Sequence, residues 1–257
     1  MNKKPLVLVT NDDGINAPGL RTLINIVKEL ARVVVVAPEN SHSGMGHAVT
    51  LTQPIRLRKI LETESITEYA CTGTPVDCVK LAINNLLDEK PALIVSGINH
   101  GANSSVNIIY SGTMAAAIEG ALADINAIGF SLLDFSYKAD FSPGVPYIKS
   151  IIQNMLSAEY NHGCCLNVNI PSVPASDIKG IKVCRQSKGQ WIEEFVQRTD
   201  PHNHEYYWLT GTFHKKEDSP DTDLWALDNN YISIVPVTLD YTNHEQLHLF
   251  KNLETNV

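Results

Sequence analysis

Two adjacent carboxylates, Asp12 and Asp13, follow the first apolar run of the chain, residues 6–10. The run is short and β-prone, and Asn11 and Gly14 on either side of the carboxylates are turn formers. Neighbouring carboxylates repel each other unless a cation lies between them or one takes a proton. Hard divalent cations prefer such oxygen ligands. The pair therefore indicates a metal site, although a polar turn that caps the next helix explains this motif alone equally well.

Two further polar stretches follow other predicted strands. Residues 38–50 are rich in Ser, His, Asn and Gly, and there Ser43 offers a hydroxyl while Gly44 lets the backbone approach a ligand. In residues 96–103, Asn99 offers a neutral oxygen to a metal and Asn103 an amide donor to a phosphoryl oxygen. Ligands bind where the strands of an α/β sheet end, so we expect these side chains near Asp12.

A fourth polar stretch, Tyr110-Ser111-Gly112-Thr113, opens a predicted helix. Backbone N–H groups at a helix start favour a phosphate, and the two hydroxyls add donors. Taken singly, each of the four stretches is better explained as a cap or a tight turn. Because all four are predicted at one edge of one sheet, a shared metal and phosphate site is the better interpretation.

Strands and helices must alternate to bring these stretches together, and the apolar pattern predicts that alternation. The continuous valines at 33–36 are typical of a strand buried on both faces of a parallel sheet. We therefore expect an α/β protein with a Rossmann-like, doubly wound, mostly parallel sheet and right-handed crossovers. Strands are predicted at 6–10, 32–37, 92–96 and 127–133, and helices at 18–31, 74–87 and 112–123.

The last hundred residues have a different pattern. A helix is predicted at 147–156 and strands at 165–170 and 231–237, with antiparallel alternation in the aromatic stretch 190–208. Because no Gly/Ser linker separates the halves, we expect one domain over 1–257. It has a core of about residues 1–185 and a C-terminal β-rich arm of about 186–257. Exposed aromatic hairpins often form subunit contacts, so the arm predicts oligomerisation.

Composition excludes several classes of protein. A formal net charge of −8 argues against a nucleic-acid-binding surface, which needs a basic face. No apolar run reaches the roughly 18 residues of a membrane span, and the N-terminal residues lack the apolar core of a signal peptide. Five cysteines without metal-ligand spacing predict free thiols. These features together favour a cytoplasmic enzyme.

Several familiar motifs of catalysis are absent. The sequence has no GxxxxGK[ST] phosphate loop, no GxSxG nucleophile turn and no HExxH metal motif. His202 and His204 are close enough in sequence to form a metal pair, but they lie in the polar arm. A structural or surface role is the favoured interpretation for both histidines.

Taken together, the motifs resemble those of the SurE survival-protein family, nearly from end to end. Several long motifs in the right order are far more specific than any one of them. They are TNDDG at 10–14, APG at 17–19, VVAP at 35–38, HSG at 42–44, CTGTPVDCV at 71–79, VSGIN-G-N at 95–103, IYSGT-AAA-EG at 109–120, RTDP at 198–201, YYWLTG at 206–211 and TDLWAL at 222–227.

The resemblance implies a metal-dependent phosphomonoesterase acting on nucleoside monophosphates. It is expected to be a 5′-nucleotidase, with 3′-nucleotidase and exopolyphosphatase activities as further expectations. The implied cofactor is one divalent metal ion per subunit, Mg²⁺ or Mn²⁺, and the implied assembly is a homodimer or homotetramer through the C-terminal arm. The implied metal ligands are Asp12, Asp13, Ser43 and Asn99, with Asp12 and Asp13 also catalytic, and the implied phosphate-binding residues are Asn103, Ser111, Gly112 and Thr113.

Direct hydrolysis by a water that the metal activates is the mechanism expected for this set. A covalent aspartyl-phosphate route is a rival, but it usually uses two Asp residues separated by one residue, not two adjacent ones. A nucleotide-binding regulatory module without turnover is a rival of a different class. Paired carboxylates argue against that module, because binding alone does not need them.

Overall fold

The computed structural model describes residues 4–136, 138–158, 160 and 163–254, except for the side chains of residues 193 and 194. Within them, a nine-stranded mixed sheet and a separate two-stranded sheet are flanked by helices. The strands are β1 (Leu6–Thr10), β2 (Arg32–Pro38), β3 (Leu57–Glu62), β4 (Ile66–Cys71), β5 (Leu93–His100), β6 (Ala127–Leu132), β7 (Cys165–Ile170), β8 (Ile181–Val183), β9 (Gly189–Thr199), β10 (Glu205–Lys215) and β11 (Ile232–Val237). The helices are α1 (Pro18–Leu30), α2 (Pro75–Leu81), α3 (Gly112–Leu122), α4 (Val145–Ser157) and α5 (Asp223–Asp228).

The large sheet has the strand order β3-β4-β2-β1-β5-β6-β7-β11-β8. Its central strands from β4 to β7 all pair in parallel, whereas β3 and β11 pair antiparallel to their neighbours β4 and β7. The arm strands β9 and β10 form a hairpin outside this sheet. The predicted α/β class, mostly parallel sheet and C-terminal antiparallel strands are confirmed.

The core lies on both faces of the sheet, and strand β1 is therefore buried along its whole length. Val7 and Val9 point into an apolar cluster with α1 and α4, and Leu8 between them packs into a second cluster with α2 and α3. This division follows from the period of two along a strand. Layers of helices on both faces explain why the strands are continuous apolar runs.

The helices next to the candidate site bury their apolar stripes. On α1 the buried residues Leu20, Leu23, Ile24 and Val27 recur at helical spacing, as predicted. On α3 the side chains are mostly small, and its alanines are buried against β5 and β6. Small side chains let α3 lie close to the sheet, which brings its N-terminus to the end of β1.

The structure corrects three secondary-structure predictions. Strand β5 continues through residues 97–100, which were predicted as loop, and its register with β6 shifts between Ser96 and Asn99. Gly97 makes this bulge possible, because it has φ of 128° and a Cβ there would lie 2.4 Å from the Phe130 carbonyl oxygen. The helix predicted over 74–87 is α-helical only to Leu81 and continues as a π-helical turn. The β3–β4 hairpin was not predicted, because β3 is mostly exposed and lacks apolar alternation.

The described part of the chain has neither a membrane-spanning helix nor a disulfide bond. It contains no helix long and apolar enough to cross a membrane. Each of the five cysteines is a free thiol, as predicted.

The contact between α1 and the β5 bulge generates a stability prediction. A Cβ at Gly19 would lie 2.0 Å from the backbone oxygen of Ile98. We expect Gly19→Ala to lower the free energy of unfolding by about 1–3 kcal/mol, because the backbone cannot move aside cheaply. Urea unfolding followed by circular dichroism measures the change.

Gly120→Ala is the matched control for this substitution. Gly120 is also helical, and a Cβ there would meet the flexible end of the Ile94 side chain at 2.5 Å. Both substitutions replace a helical glycine by alanine, so the difference between their stabilities mainly reports the backbone clash. Equal stabilities for the two variants would contradict the close packing of α1 on β5.

Candidate metal and phosphate site

The four polar stretches meet at the carboxyl edge of the parallel strands. The loop after β1 is joined to the loop after β2, because Ile15 N donates to Pro38 O at 2.8 Å and His42 N donates to Asp12 O at 2.8 Å. The end of β5 reaches the same place through His100 N, which donates to Asp13 Oδ2 at 3.3 Å. The parallel sheet therefore gathers stretches that are far apart in sequence, as predicted.

Asp12 lies at the centre of this edge and is almost fully buried. The Thr113 hydroxyl donates to Asp12 Oδ1. A Cβ at Gly112 would lie 2.9 Å from Asp12 Oδ2, so a larger residue at that position would collide with the carboxylate. The first turn of α3 is thus packed directly on Asp12, and glycine is what permits the approach.

Burial sets the protonation of both carboxyls in the protein without metal. It raises the pKa of Asp12 from 3.8 to about 6, against the hydrogen bond from Thr113, and the neighbouring Asp13 raises it further. Burial also raises the pKa of Asp13, which is opposed by the backbone hydrogen bond and the charge of His100. A buried and a half-buried carboxyl side by side are therefore a place where a cation would favour the ionised forms.

The remaining predicted metal ligands are neutral oxygens near this pair. Asn99 Nδ2 donates to Gly101 O at 2.8 Å, which leaves the amide oxygen of Asn99 as its acceptor group. Ser43 is exposed, and its Oγ lies 2.9 Å from Ser41 Oγ. Within the described residues, no group of three or more His, Cys, Asp or Glu side chains could hold a metal ion. Two carboxylates, a hydroxyl and an amide oxygen fit a hard divalent cation better than a soft one.

The turn predicted to bind phosphate lies at the start of α3. Ser111 is the N-cap residue, and its hydroxyl accepts from Met114 N at 3.0 Å. The N–H groups of the first turn carry the positive end of the helix dipole. The turn therefore suits an anion beside Asp12, while the Thr113 hydroxyl itself is engaged with the carboxylate.

Asn103 is held by a buried polar network that the sequence analysis missed. Its backbone N donates to Asn169 Oδ1 at 2.8 Å, and its Nδ2 donates to Ser131 Oγ at 2.7 Å. Asn167 Nδ2 donates to the Asn103 carbonyl at 2.8 Å, and Asn169 Nδ2 donates to Asn167 Oδ1 at 2.9 Å. The signal in the sequence was the pair of asparagines two residues apart in the otherwise apolar strand β7.

The loop that carries Ser43 is tied down by contacts that the sequence analysis also missed. Gly46 N donates to Tyr110 O at 3.0 Å, and Thr74 Oγ1 donates to Ala48 O at 2.8 Å. His47 Nε2 lies 3.0 Å from Glu119 Oε2 on α3. These contacts connect the loop to α2 and α3. His202 and His204, by contrast, lie in the turn between β9 and β10, on the arm.

The family model described as Survival protein SurE matches residues 7–193 of the chain. The chain belongs to the SurE family. The matched range contains all the candidate site residues, and the family predicted from the motifs is confirmed. SurE relatives extend the likeness through the arm, because their matches cover nearly the whole chain.

Two relatives named 5′-nucleotidase SurE illustrate the similarity. The Flavobacterium psychrophilum protein is 53% identical over 254 residues, covering 98% of this chain and 99% of its own. The Christiangramia forsetii protein is 54% identical over 255 residues, covering 98% and 97%. The crystal structure of the SurE protein from Aquifex aeolicus, 38% identical, matches 98% of this chain and 100% of its own with a TM-score of 0.84. That match places the fold among SurE structures.

The burial of Asp12 generates a prediction for the metal-free protein. Its folded pKa, about 6, lies above the ordinary 3.8, so between these pH values the folded protein keeps a proton that the unfolded chain releases. The contribution of Asp12 to stability therefore falls as pH rises and is lost above about pH 6. We expect Asp12→Asn to remove this loss and to raise the free energy of unfolding at pH 7 by up to roughly 3 kcal/mol.

Urea unfolding in EDTA between pH 4 and pH 7.5 measures this effect. Asp88→Asn, which changes an exposed carboxylate, is the control and should leave the pH profile as in the wild type. A metal-free Asp12→Asn protein that is less stable than the wild type throughout this range would show that the carboxylate is not under strain from burial.

Proposed function

We propose that this protein is a metal-dependent phosphomonoesterase that hydrolyses nucleoside 5′-monophosphates to nucleoside and inorganic phosphate. The observation that carries the proposal is the buried Asp12 carboxylate, packed against Asp13 and the N-terminal turn of α3. One edge of the sheet thus combines oxygen ligands that suit a cation with a helix N-terminus that suits an anion. The name 5′-nucleotidase SurE, carried by relatives that match almost end to end, supports the substrate class.

In this proposal Asp12, Asp13, Ser43 and Asn99 hold one divalent ion, Mg²⁺ or Mn²⁺. Their oxygen-only donor set suits either ion. When bound, the ion supplies positive charge to the phosphoryl oxygens and makes water a stronger nucleophile at neutral pH. The two carboxylates supply the negative charge that holds it.

The residues of the chain orient the phosphate and move the proton. In this proposal the start of α3, at Ser111, Gly112 and Thr113, faces the phosphoryl oxygens. Because Ser111 N already donates to Ile108 O at 3.3 Å and the Thr113 N–H to Asp12, the Gly112 N–H is the one that donates to the phosphate and stabilises negative charge. Asn103 has a second amide hydrogen besides the one given to Ser131, and this hydrogen donates to the phosphate. Asp13 accepts the proton of the attacking water, since it is half-buried, whereas Asp12 is almost fully buried and its Oδ1 already accepts from Thr113.

The same contacts weigh against the two rival mechanisms. A nucleophilic aspartate must expose an oxygen to the phosphorus. For Asp12 this weighs against the covalent route, because Asp12 is only 3% exposed and its Oδ1 accepts from Thr113. For Asp13 the route is disfavoured only by the adjacent spacing of the two aspartates. A module that only binds nucleotide would not need two adjacent carboxylates whose pKa burial raises. Rapid-quench trapping of a phosphorylated aspartate would favour the covalent route.

Phosphate release from a panel of nucleoside monophosphates tests the proposed function. We expect release from 5′-monophosphates that EDTA abolishes and that Mg²⁺ or Mn²⁺ restores. Asp12→Asn should lower turnover by about a hundredfold or more while the protein stays folded, because a ligand that carries charge is lost. The control Asp88→Asn should match the wild type.

The same panel decides the breadth of the activity. Nucleoside 3′-monophosphates and short polyphosphates test the 3′-nucleotidase and exopolyphosphatase expectations. Tight AMP binding by calorimetry without release under any metal would establish the binding module in place of the enzyme. Full metal-dependent turnover by the Asp12→Asn variant would contradict the assignment of Asp12 as a metal ligand.

A single domain that assembles through its arm completes the proposal, as a homodimer or homotetramer. Several large apolar side chains of the arm are exposed in the single chain, among them Phe195, Tyr207 and Leu249. Exposed aromatic and apolar side chains of this kind are enriched in protein–protein contacts. The free thiols support a cytoplasmic location, where cysteines stay reduced.

Light scattering tests the assembly. We expect the wild type to have two or four times the chain mass of 28.3 kDa, and Phe195→Ser with Tyr207→Ser to shift it toward a single chain. Phe135→Ser is the control, because Phe135 is 81% exposed and lies outside the arm. A wild-type mass of one chain at micromolar concentration would refute the proposed assembly.

A further inference from the structure

A cavity of about 460 Å³ opens beside the candidate site. Its walls are Gly44, Tyr110, Trp191, Leu209, Thr210 and Gly211. Gly44 directly follows Ser43, and Tyr110 directly precedes Ser111. Two larger cavities have volumes of about 520 and 600 Å³. The first lies along α4 and the second at the N-terminal ends of β5 and β6, and none of the candidate site residues lines them.

The described walls of this cavity favour an aromatic occupant. Among the side chains that the structure describes, no charged one lines it, while Trp191, Tyr110 and Leu209 present rings and an apolar side chain. Its volume lies within the roughly 300–1,000 Å³ typical of small-ligand sites. Flat heterocycles stack on such aromatic faces whatever their edge groups.

The aromatic walls are fixed before any ligand arrives. Trp191 Nε1 donates to Asn107 Oδ1 at 2.8 Å, and the indole packs edge-on against Phe213 with ring centroids 5.5 Å apart. On the other side, the Tyr110 carbonyl accepts from Gly46 N at 3.0 Å. The cavity is therefore joined to the loop of Ser43 and to the start of α3, so its distance from the phosphate position is set by the fold.

We propose that this cavity binds the base of the nucleotide and makes the enzyme prefer purine over pyrimidine monophosphates. The inference rests on the proposed function, because the phosphate end is placed at Ser111 and Ser43. From there the ribose spans to Gly44 and Tyr110, and the base stacks on Trp191. A purine gains more than a pyrimidine, because its two rings cover more of the indole face.

The ratio of kcat/KM for AMP to kcat/KM for ribose 5-phosphate tests the inference, because the two substrates share everything but the base. We expect this ratio to exceed one in the wild type, and the ratio of AMP to CMP likewise. Trp191→Ala should lower the AMP to ribose 5-phosphate ratio about tenfold, mainly through KM. Trp191→Phe keeps an aromatic ring and should retain most of the wild-type ratio.

Trp208→Ala is the matched control. Trp208 lies on the same hairpin, is 63% exposed, and does not line the cavity, so its ratio should equal that of the wild type. Light scattering of every variant shows whether the assembly is preserved. An unchanged ratio in Trp191→Ala would overturn the proposal, as would a wild type that processes ribose 5-phosphate as well as AMP.

Calorimetric binding of AMP and ribose 5-phosphate separates this inference from the proposed function. Binding of AMP that is stronger than that of ribose 5-phosphate, and that Trp191→Ala weakens about tenfold, supports the base cavity even without turnover. In that outcome the proposed function fails and the cavity stands. Equal binding of the two compounds by the wild type refutes the cavity whether or not phosphate is released.

Discussion

The fold around the site depends on one costly arrangement, the burial of the Asp12 carboxylate at the end of β1. A carboxylate in that position is unfavourable unless hydrogen bonds and positive potential surround it. Thr113 donates to it, and the first turn of α3 brings the positive end of the helix against it. The small side chains of α3 let the helix approach this closely. The contact between Asp12 and the first turn of α3 therefore serves both the packing of the core and the proposed binding of ligand.

Local sequence predicts the parts of this arrangement that depend on chain direction and apolar pattern. The strand β7 and the limits of α1 and α3, within a residue, follow from runs and spacing alone. The meeting of four polar stretches follows as well, because parallel strands carry their carboxyl ends to one edge. The network that holds Asn103 was not predictable in this way. Its partners lie on two neighbouring strands, and only the register between them brings the side chains together.

The extension of β5 shows the same limit from another direction. Residues 97–100 look like a loop, because glycine, asparagine and histidine have low strand propensity. They pair with β6 only because Gly97 adopts a positive φ and allows one extra residue in the strand. That bulge places Asn99 opposite Ser131 and presents His100 N to Asp13. Tertiary pairing overrides local propensity at the point where the site needs it.

The arm is joined to the candidate site, because one buried carboxylate holds both the arm and the loop after Asn103. Asp223 is fully buried and accepts from Ser105 N at 2.7 Å and from Ser187 N at 2.9 Å. Ser105 Oγ in turn donates to the Ser187 carbonyl at 2.9 Å. One carboxylate therefore fixes the loop after Asn103 to the residues that lead into β9. The position of Trp191 relative to the start of α3 is set by a residue that touches neither. If the proposed assembly moves the hairpin, the wall of the proposed base cavity moves with it, which would link subunit contact to substrate preference.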